Sequence, residues 1–312
     1  MSLVAVLKGG RSLERQVSLS SGARVEESLR RLGHEVIEID VAGDLVQRLT
    51  ERRPELAFVA LHGRDGEDGT VQELLEALGI PYTGSRVSAC IRASDKVLAK
   101  HALRDAGIPT PDFFAFAHSA FGGLGVGQAL EAISERLHFP IVVKPASQGS
   151  ALGIKFARTA ADVPTALIAA FSYDRKVLLE RYVAGRELAV SVLEQDGEPR
   201  ALPIVEAVPE QESFYDFESR YEIGRTRFIC PAELEPEVTS RIQSLAVQAF
   251  RLLGCSVFAR VDLMLDTETS EPYVLEVNPI PGLTGTSLLP QAADAAGIGF
   301  DELIARIVAS AS

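Results

Sequence analysis

The chain is predicted to be a mixed α/β and α+β protein, with an N-terminal parallel sheet followed by two smaller α+β units. Three features carry that expectation. Short apolar runs alternate with helical stretches through the first third, which implies parallel strands covered by helices. A compact mixed unit follows, and from Glu187 onward the pattern becomes strand-rich. Finally, the stretch from Val257 to Gly282 reads as a hairpin with an acidic face. The 312 residues, 46% of them hydrophobic, suffice for two or three compact units with substantial cores.

In order, strands are expected at Leu3 to Leu7, Val36 to Ile39 and Leu56 to Leu61, with helices at Ser21 to Leu32 and Leu45 to Arg52. Gly33 stops the first long helix, and the helix from Val71 to Leu78, begun at Thr70, ends at Gly79. Gly79 to Ser85 reads as a connection leaving the first unit, and a helix from Lys96 to Ala106 leads to an irregular stretch beyond Pro111. The glycine-rich Phe121 to Gly127 lacks a preceding strand and a following lysine, so it reads as a surface loop. The second unit has strands at Ile141 to Lys144, Gly153 to Phe156 and Val177 to Glu180 and a helix from Val163 to Ala170, small enough for a lid. A polar and aromatic segment from Glu210 to Tyr221, a helix from Glu235 to Leu253 and a last helix from Phe300 to Ala309 complete the chain. Boundaries are expected near 95/96 and 186/187.

On the hairpin, Val257, Ala259, Val261, Leu263 and Leu265 share one face and leave Arg260 and Asp262 on the other. On the next strand Tyr273, Leu275 and Val277 are apolar, so Glu276 and Asn278 share the opposite face. Paired through the turn from Asp266 to Pro272, the strands gather three oxygen-bearing side chains and a guanidinium. Such hard oxygen ligands suit magnesium, which takes its remaining ligands from water and phosphates; a solvated polar face is the plain alternative. Upstream, Lys144 ends a strand and is followed by the small-residue loop Ser147 to Ser150, either a phosphate-binding backbone or an ordinary turn. The segment from Glu180 through Arg181 and Val183 to Glu187 reads as a linker between units that offers backbone edges to an adenine and a glutamate to ribose hydroxyls. Either glutamate alone is as readily a solvated charge.

The net charge of -12 opposes a general nucleic-acid or anionic-membrane surface. No apolar run approaches the roughly 18 residues of a membrane span, and the start at Leu3 shows no basic leader. Three scattered cysteines without a Cys-x-x-Cys pair point to neither disulfides nor zinc, and a cytoplasmic setting is expected. A nicotinamide dehydrogenase is disfavoured because no Gly-x-Gly-x-x-Gly follows Leu7.

The order lysine, lysine with a small-residue loop, hinge glutamates and acidic hairpin resembles the ATP-grasp superfamily. Within it the chain resembles the D-alanine–D-alanine ligases nearly end to end. The pieces that carry this are Gly9 to Ser18, His62 to Gly69, Tyr82 to Ser85, Phe214 to Tyr221 and Pro281 to Leu288. The resemblance implies an ATP-grasp fold, with a Rossmann-like N-terminal domain (1–95) and two α+β domains (96–186 and 187–312) that sandwich ATP. It implies joining of two D-alanines through an acyl phosphate for peptidoglycan synthesis, with ATP and two magnesium (or manganese) ions. Lys96, Lys144 and the loop carrying Ser147, Gly149 and Ser150 are then expected on ATP phosphates, with Arg220 on the γ-phosphate, and Glu180, Arg181, Val183 and Glu187 around adenosine. Asp262, Glu276 and Asn278 are expected to hold metal. Glu14 is expected to bind the ammonium of the first D-alanine, with His62 near it and Ser150 and Tyr221 completing a hydrogen-bonded group. Arg260 and the Gly282 backbone are expected at the oxyanion, and Ser287 and Leu288 at the second carboxylate. A homodimer is implied as well.

The chain departs from the family pattern in three places. Arg220 stands where lysine is more usual, Arg15 and Gln16 where His-Glu is, and Pro279 where threonine is common. Arginine keeps the charge with a different geometry. These departures leave open a ligase using another D-amino-acid derivative as second substrate; a non-catalytic nucleotide-binding relative is the other alternative.

Overall fold

A computed structural model describes residues 1–209 and 226–311. The first sheet is parallel, in the order β2-β1-β3, from β1 (Leu3–Lys8), β2 (Glu35–Asp40) and β3 (Leu56–Val59). Its helices are α1 (Arg15–Arg31), α2 (Leu45–Arg52) and α3 (Thr70–Leu78), followed by α4 (Val87–Ser94) and α5 (Lys96–Asp105). Buried on both faces, β1 reads as the continuous apolar run that parallel strands require. Helix α1 starts at Arg15, six residues before the apolar period becomes visible, because its first turns bury seryl side chains in place of large apolar ones. Ser18 is fully buried, accepts the Gly9 N–H at 2.8 Å and donates to the Ala60 carbonyl at 2.7 Å.

The second sheet is antiparallel, in the order β4-β7-β5-β6, from β4 (Phe113–Ala117), β5 (Ile141–Pro145), β6 (Lys155–Ala157) and β7 (Lys176–Arg181). Its presence corrects the irregular reading beyond Pro111, where the run of Phe and Ala in β4 lacks polar alternation yet pairs with β7. Part of the glycine-rich loop is likewise helical, over His118–Gly123. Residues 182–184 join β7 to the third sheet, which runs β11-β10-β8-β12-β13 with β9 beside β8. Its strands are β8 (Gly185–Gln195), β9 (Glu198–Ala201), β10 (Val205–Pro209), β11 (Thr226–Ile229), β12 (Phe258–Asp266) and β13 (Pro272–Asn278).

The hairpin β12–β13 forms as expected but not with strict alternation. Asp262 faces Glu276, whereas Leu263 faces Val274, so Leu275 is an extra residue in a bulge. Val274 and Val277 therefore enter the core, and Tyr273 and Leu275 are only partly buried. The bulge re-aims Glu276, as such insertions do beside functional sites. A core shared by Val4, Val6 and Phe58 with Phe258, Leu283 and Leu289 seats the parallel sheet against the third one. Among the described residues, no helix is long and apolar enough to cross a membrane.

Candidate active site

The hairpin stands between two concavities. On one side a cleft of about 910 Å³ is lined by Lys96, Ser147, Gly149, Glu276 and Asn278. On the other, a hollow of about 50 Å³ is lined by Glu187, Arg260, Asp262, Gly282, Ser287 and Leu288.

Lys96 opens α5, whose N-cap Asp95 accepts the Val97 and Leu98 N–H groups at 2.9 and 3.2 Å. That cap points the Lys96 ammonium to the Gln148 carbonyl at 2.7 Å and to Glu276 at 3.1 Å. The Ser147–Ser150 loop is held in part by Asp174, which accepts the Ser147 N–H at 2.8 Å. Across the hairpin Asp262 and Glu276 sit directly opposite each other, two positions from the Arg260–Asn278 pair with Val261 and Val277 between. Arg260 grips Asp262 with two parallel bonds of 2.7 and 2.8 Å, and the Asn278 side-chain oxygen accepts the Ile280 N–H at 3.0 Å.

Glu180 is buried between two lysines, with Lys144 and Lys100 each at 2.6 Å. Burial opposes its ionisation, but the ammonium groups outweigh it and hold the carboxyl below its ordinary value. Burial pulls the Lys100 ammonium down to about 8, against the pull of Glu180. Lys100 also donates to Thr110, whose hydroxyl donates at 2.8 Å to the Val274 carbonyl of the hairpin. Lys100 escaped the sequence reading although a signal was present: it lies one turn after Lys96 among apolar residues, on a face that must be buried.

The expected adenosine group is spread along the chain. Arg181 lies over the Tyr273 ring at 4.9 Å, Val183 is buried where the chain passes between sheets, and Glu187 reaches the hollow beside Arg260.

Glu14 immediately precedes α1 and is 8% exposed. Ser150 donates to it, and a Cβ at Gly149 or Gly63 would stand 2.9 or 2.5 Å from its carboxylate, so neither position admits a side chain without a shift. Burial and the neighbouring Glu67 carboxylate push the Glu14 carboxyl above the usual range, against the Ser150 hydroxyl, His62 and Lys96. His62 is buried, with Nδ1 2.9 Å from the Ile280 carbonyl, Nε2 3.0 Å from Ser21 Oγ, and Glu67 3.6 Å away. Ser287 precedes the Leu288–Ala295 helix, whose positive dipole end therefore faces the hollow that Ser287 and Leu288 line. Arg220 and Tyr221 lie outside the described residues.

Asp262, Glu276 and Asn278 supply hard oxygen atoms on adjacent strands, a donor set that fits magnesium carrying phosphate and water ligands. Among the described residues there is no cluster of three or more His, Cys, Asp or Glu to form an all-protein cage. Chemically, the arrangement places cations along a cleft, an acidic wall between cleft and hollow, a hollow that holds one guanidinium, and a buried carboxylate that among the described residues has no ion-pair partner.

Models of the D-ala D-ala ligase C-terminus and N-terminus match residues 102–309 and 45–85. A D-alanine–D-alanine ligase of Syntrophotalea carbinolica is 46% identical over 99% of this chain and 96% of that protein. The one from Moorella thermoacetica is 43% identical over 98% and 97%. Among solved structures, the Bacillus anthracis D-alanine–D-alanine ligase complexed with ATP is 34% identical and superposes with a TM-score of 0.83, over 99% of this chain and 97% of that one.

Proposed function

The chain belongs to the D-alanine–D-alanine ligase family, and from that premise we propose how its residues carry ATP-dependent joining of two D-alanines. The observation that carries this reading is the buried Glu14, raised in pKa, bonded to Ser150 and packed behind Gly63 and Gly149, which line a cleft together with Lys96 and Glu276. Its carboxylate is suited to the ammonium of the first D-alanine, whose carboxylate then attacks the γ-phosphoryl group of ATP to give an acyl phosphate and ADP. Lys96 and the Ser147–Ser150 loop hold phosphate oxygens. Lys144 reaches phosphate from Glu180, and adenosine takes the segment from Glu180 to Glu187. The second D-alanine enters the hollow with its carboxylate at Ser287 and Leu288, and its amine attacks the acyl carbon with loss of phosphate. Arg260 and the Gly282 N–H stabilise the oxyanion of that step. Asp262, Glu276 and Asn278 would hold magnesium or manganese, which neutralises phosphate charge when bound. Arg220 and Tyr221 are assigned by family pattern alone.

The division at 95/96 and 186/187 is part of the proposal; β1–β3 lie in the first unit, β4–β7 in the second and β8–β13 in the third, except that Gly185 and Arg186, the first residues of β8, fall before the second boundary. A cytoplasmic homodimer is proposed on the family resemblance, together with three unbridged cysteines. Phosphate release with D-alanine, L-alanine, D-serine and D-lactate tests the function. D-alanine is expected to give the highest rate, and no D-alanine-stimulated release would overturn the reading. Glu276→Gln is expected to abolish most turnover while preserving the fold; near-normal activity at saturating magnesium would remove Glu276 from the metal role.

A further inference from the structure

Residues 14, 17, 21 and 24 recur every three or four positions and so share one face at the start of α1. Beyond Glu14, that face grips the loop that carries Gly282. The fully buried Ser21 hydroxyl accepts the Leu283 N–H at 3.1 Å and lies 3.0 Å from His62 Nε2. On the other side of the ring His62 Nδ1 lies 2.9 Å from the Ile280 carbonyl, so the imidazole joins Ser21 to that segment. Arg24 donates to the Leu283 and Thr284 carbonyls at 3.1 and 2.7 Å, with its guanidinium 3.9 Å from the Phe300 ring centre. Val17 stands in ordinary contact distance of a Cβ built on Gly282. Main-chain groups on both sides of Gly282 are thus tied to α1 or to His62, while among the described residues nothing accepts the Gly282 N–H.

We infer that Ser21 and Arg24 are positioning residues for the second amino-acid subsite, acting through the Ile280–Thr284 backbone. The helix works as a spacer. Its N-terminal end presents Glu14 and its next two turns fix the loop, at a rise of about 1.5 Å per residue. The separation between the two amino acids is therefore set by a rigid element and not by loop conformation. Loosening the clamp lets the hollow widen, which weakens the acceptor and admits others. This rests on the proposed ligase reading.

Two readouts separate the steps. Hydroxylamine attacks the acyl phosphate carbonyl and expels phosphate, so hydroxamate formation reports the first amino acid and ATP alone. Dipeptide formation reports the acceptor as well. For Ser21→Ala and Arg24→Met the KM for D-alanine as acceptor is expected to rise about tenfold, with hydroxamate formation within twofold of the parent. Discrimination against glycine and D-serine as acceptors should narrow. Arg24→Lys, which keeps one charged donor, should recover part of the loss, and a melting curve identifies any variant that fails to fold. Equal losses in both readouts, or no change in either, overturn the inference. A parent enzyme that makes neither product with D-alanine overturns the ligase reading instead.

Discussion

Glu14 and Glu180 are both buried, and their surroundings have opposite character. Glu180 lies between the Lys100 and Lys144 ammonium groups and is held ionised within the protein. Among the described residues Glu14 is bonded to a hydroxyl and has the Glu67 carboxylate nearby, and burial first of all pushes its carboxyl up in spite of His62 and Lys96. The first arrangement meets its own charge and so secures structure around the lysines. In the proposed ligase reading, the second leaves a charge to be met by the ammonium of a substrate. Burial raises the energy of any unmatched charge, so the same low-dielectric setting that makes Glu180 a brace suits Glu14 to the binding role proposed for it.

The largest expected effect breaks this contrast at its substrate end. Glu14→Gln should lower kcat/KM for the first D-alanine by about 10²–10³-fold, since a buried charge pair is lost. The same change should stabilise the empty protein. A carboxyl whose folded pKa is raised subtracts stability while ionised, and the loss is complete above the folded pKa and vanishes below the ordinary carboxylate range. Thermal melts should therefore place Glu14→Gln above the parent at neutral pH, on the order of 1 kcal/mol, with the gap closing on acidification. A variant that melts lower at pH 7 would mean that Glu14 is a brace too.

Lys100→Met should act in the opposite sense. It strips Glu180 of one partner and is expected to cost about 3 kcal/mol of stability in denaturant titrations. Because Lys144 must then stay with Glu180, the KM for ATP should rise about tenfold while the KM for D-alanine changes little. An unchanged ATP KM would separate Lys100 from nucleotide binding.

The smallest expected effect sharpens the comparison. Glu67→Gln removes the like charge near Glu14, so the Glu14 carboxyl should return toward its ordinary value. The acid limb of kcat/KM for the first D-alanine should shift to lower pH, with a change of only a few-fold at neutral pH. A pH profile that does not move would leave burial as the whole cause of the shift.

Much of the fold was legible in local pattern. The helices at 45–52 and 300–309 and the central strands follow from periodicity and from glycine or proline punctuation. Strand β4 was missed because its phenylalanines and alanines show no polar alternation, whereas the helix Leu130–Leu137 was missed although Leu130, Ile133 and Leu137 recur at helical spacing. The start of α1 was missed because small polar residues were doing the packing, and a seryl pattern looks solvated until its partners are known. In the site, Lys96, Glu276 and Asn278 were chosen from the strand faces and family motifs, and the fold lines one cleft with them. Lys100, Ser21 and Arg24 were not chosen, since each acts through groups far away in sequence.

By itself, the sequence determined which elements form, which residue types line the hairpin, and to which family the chain belongs, because these depend on spacing within one segment or on motif order. Only the tertiary structure decided the bulge at Leu275, the pairing of Glu180 with two lysines, and the burial of Glu14 beside Ser150 and Glu67. Those outcomes depend on which distant groups share a buried volume, and a charge has its meaning only once its neighbours and its distance from water are set.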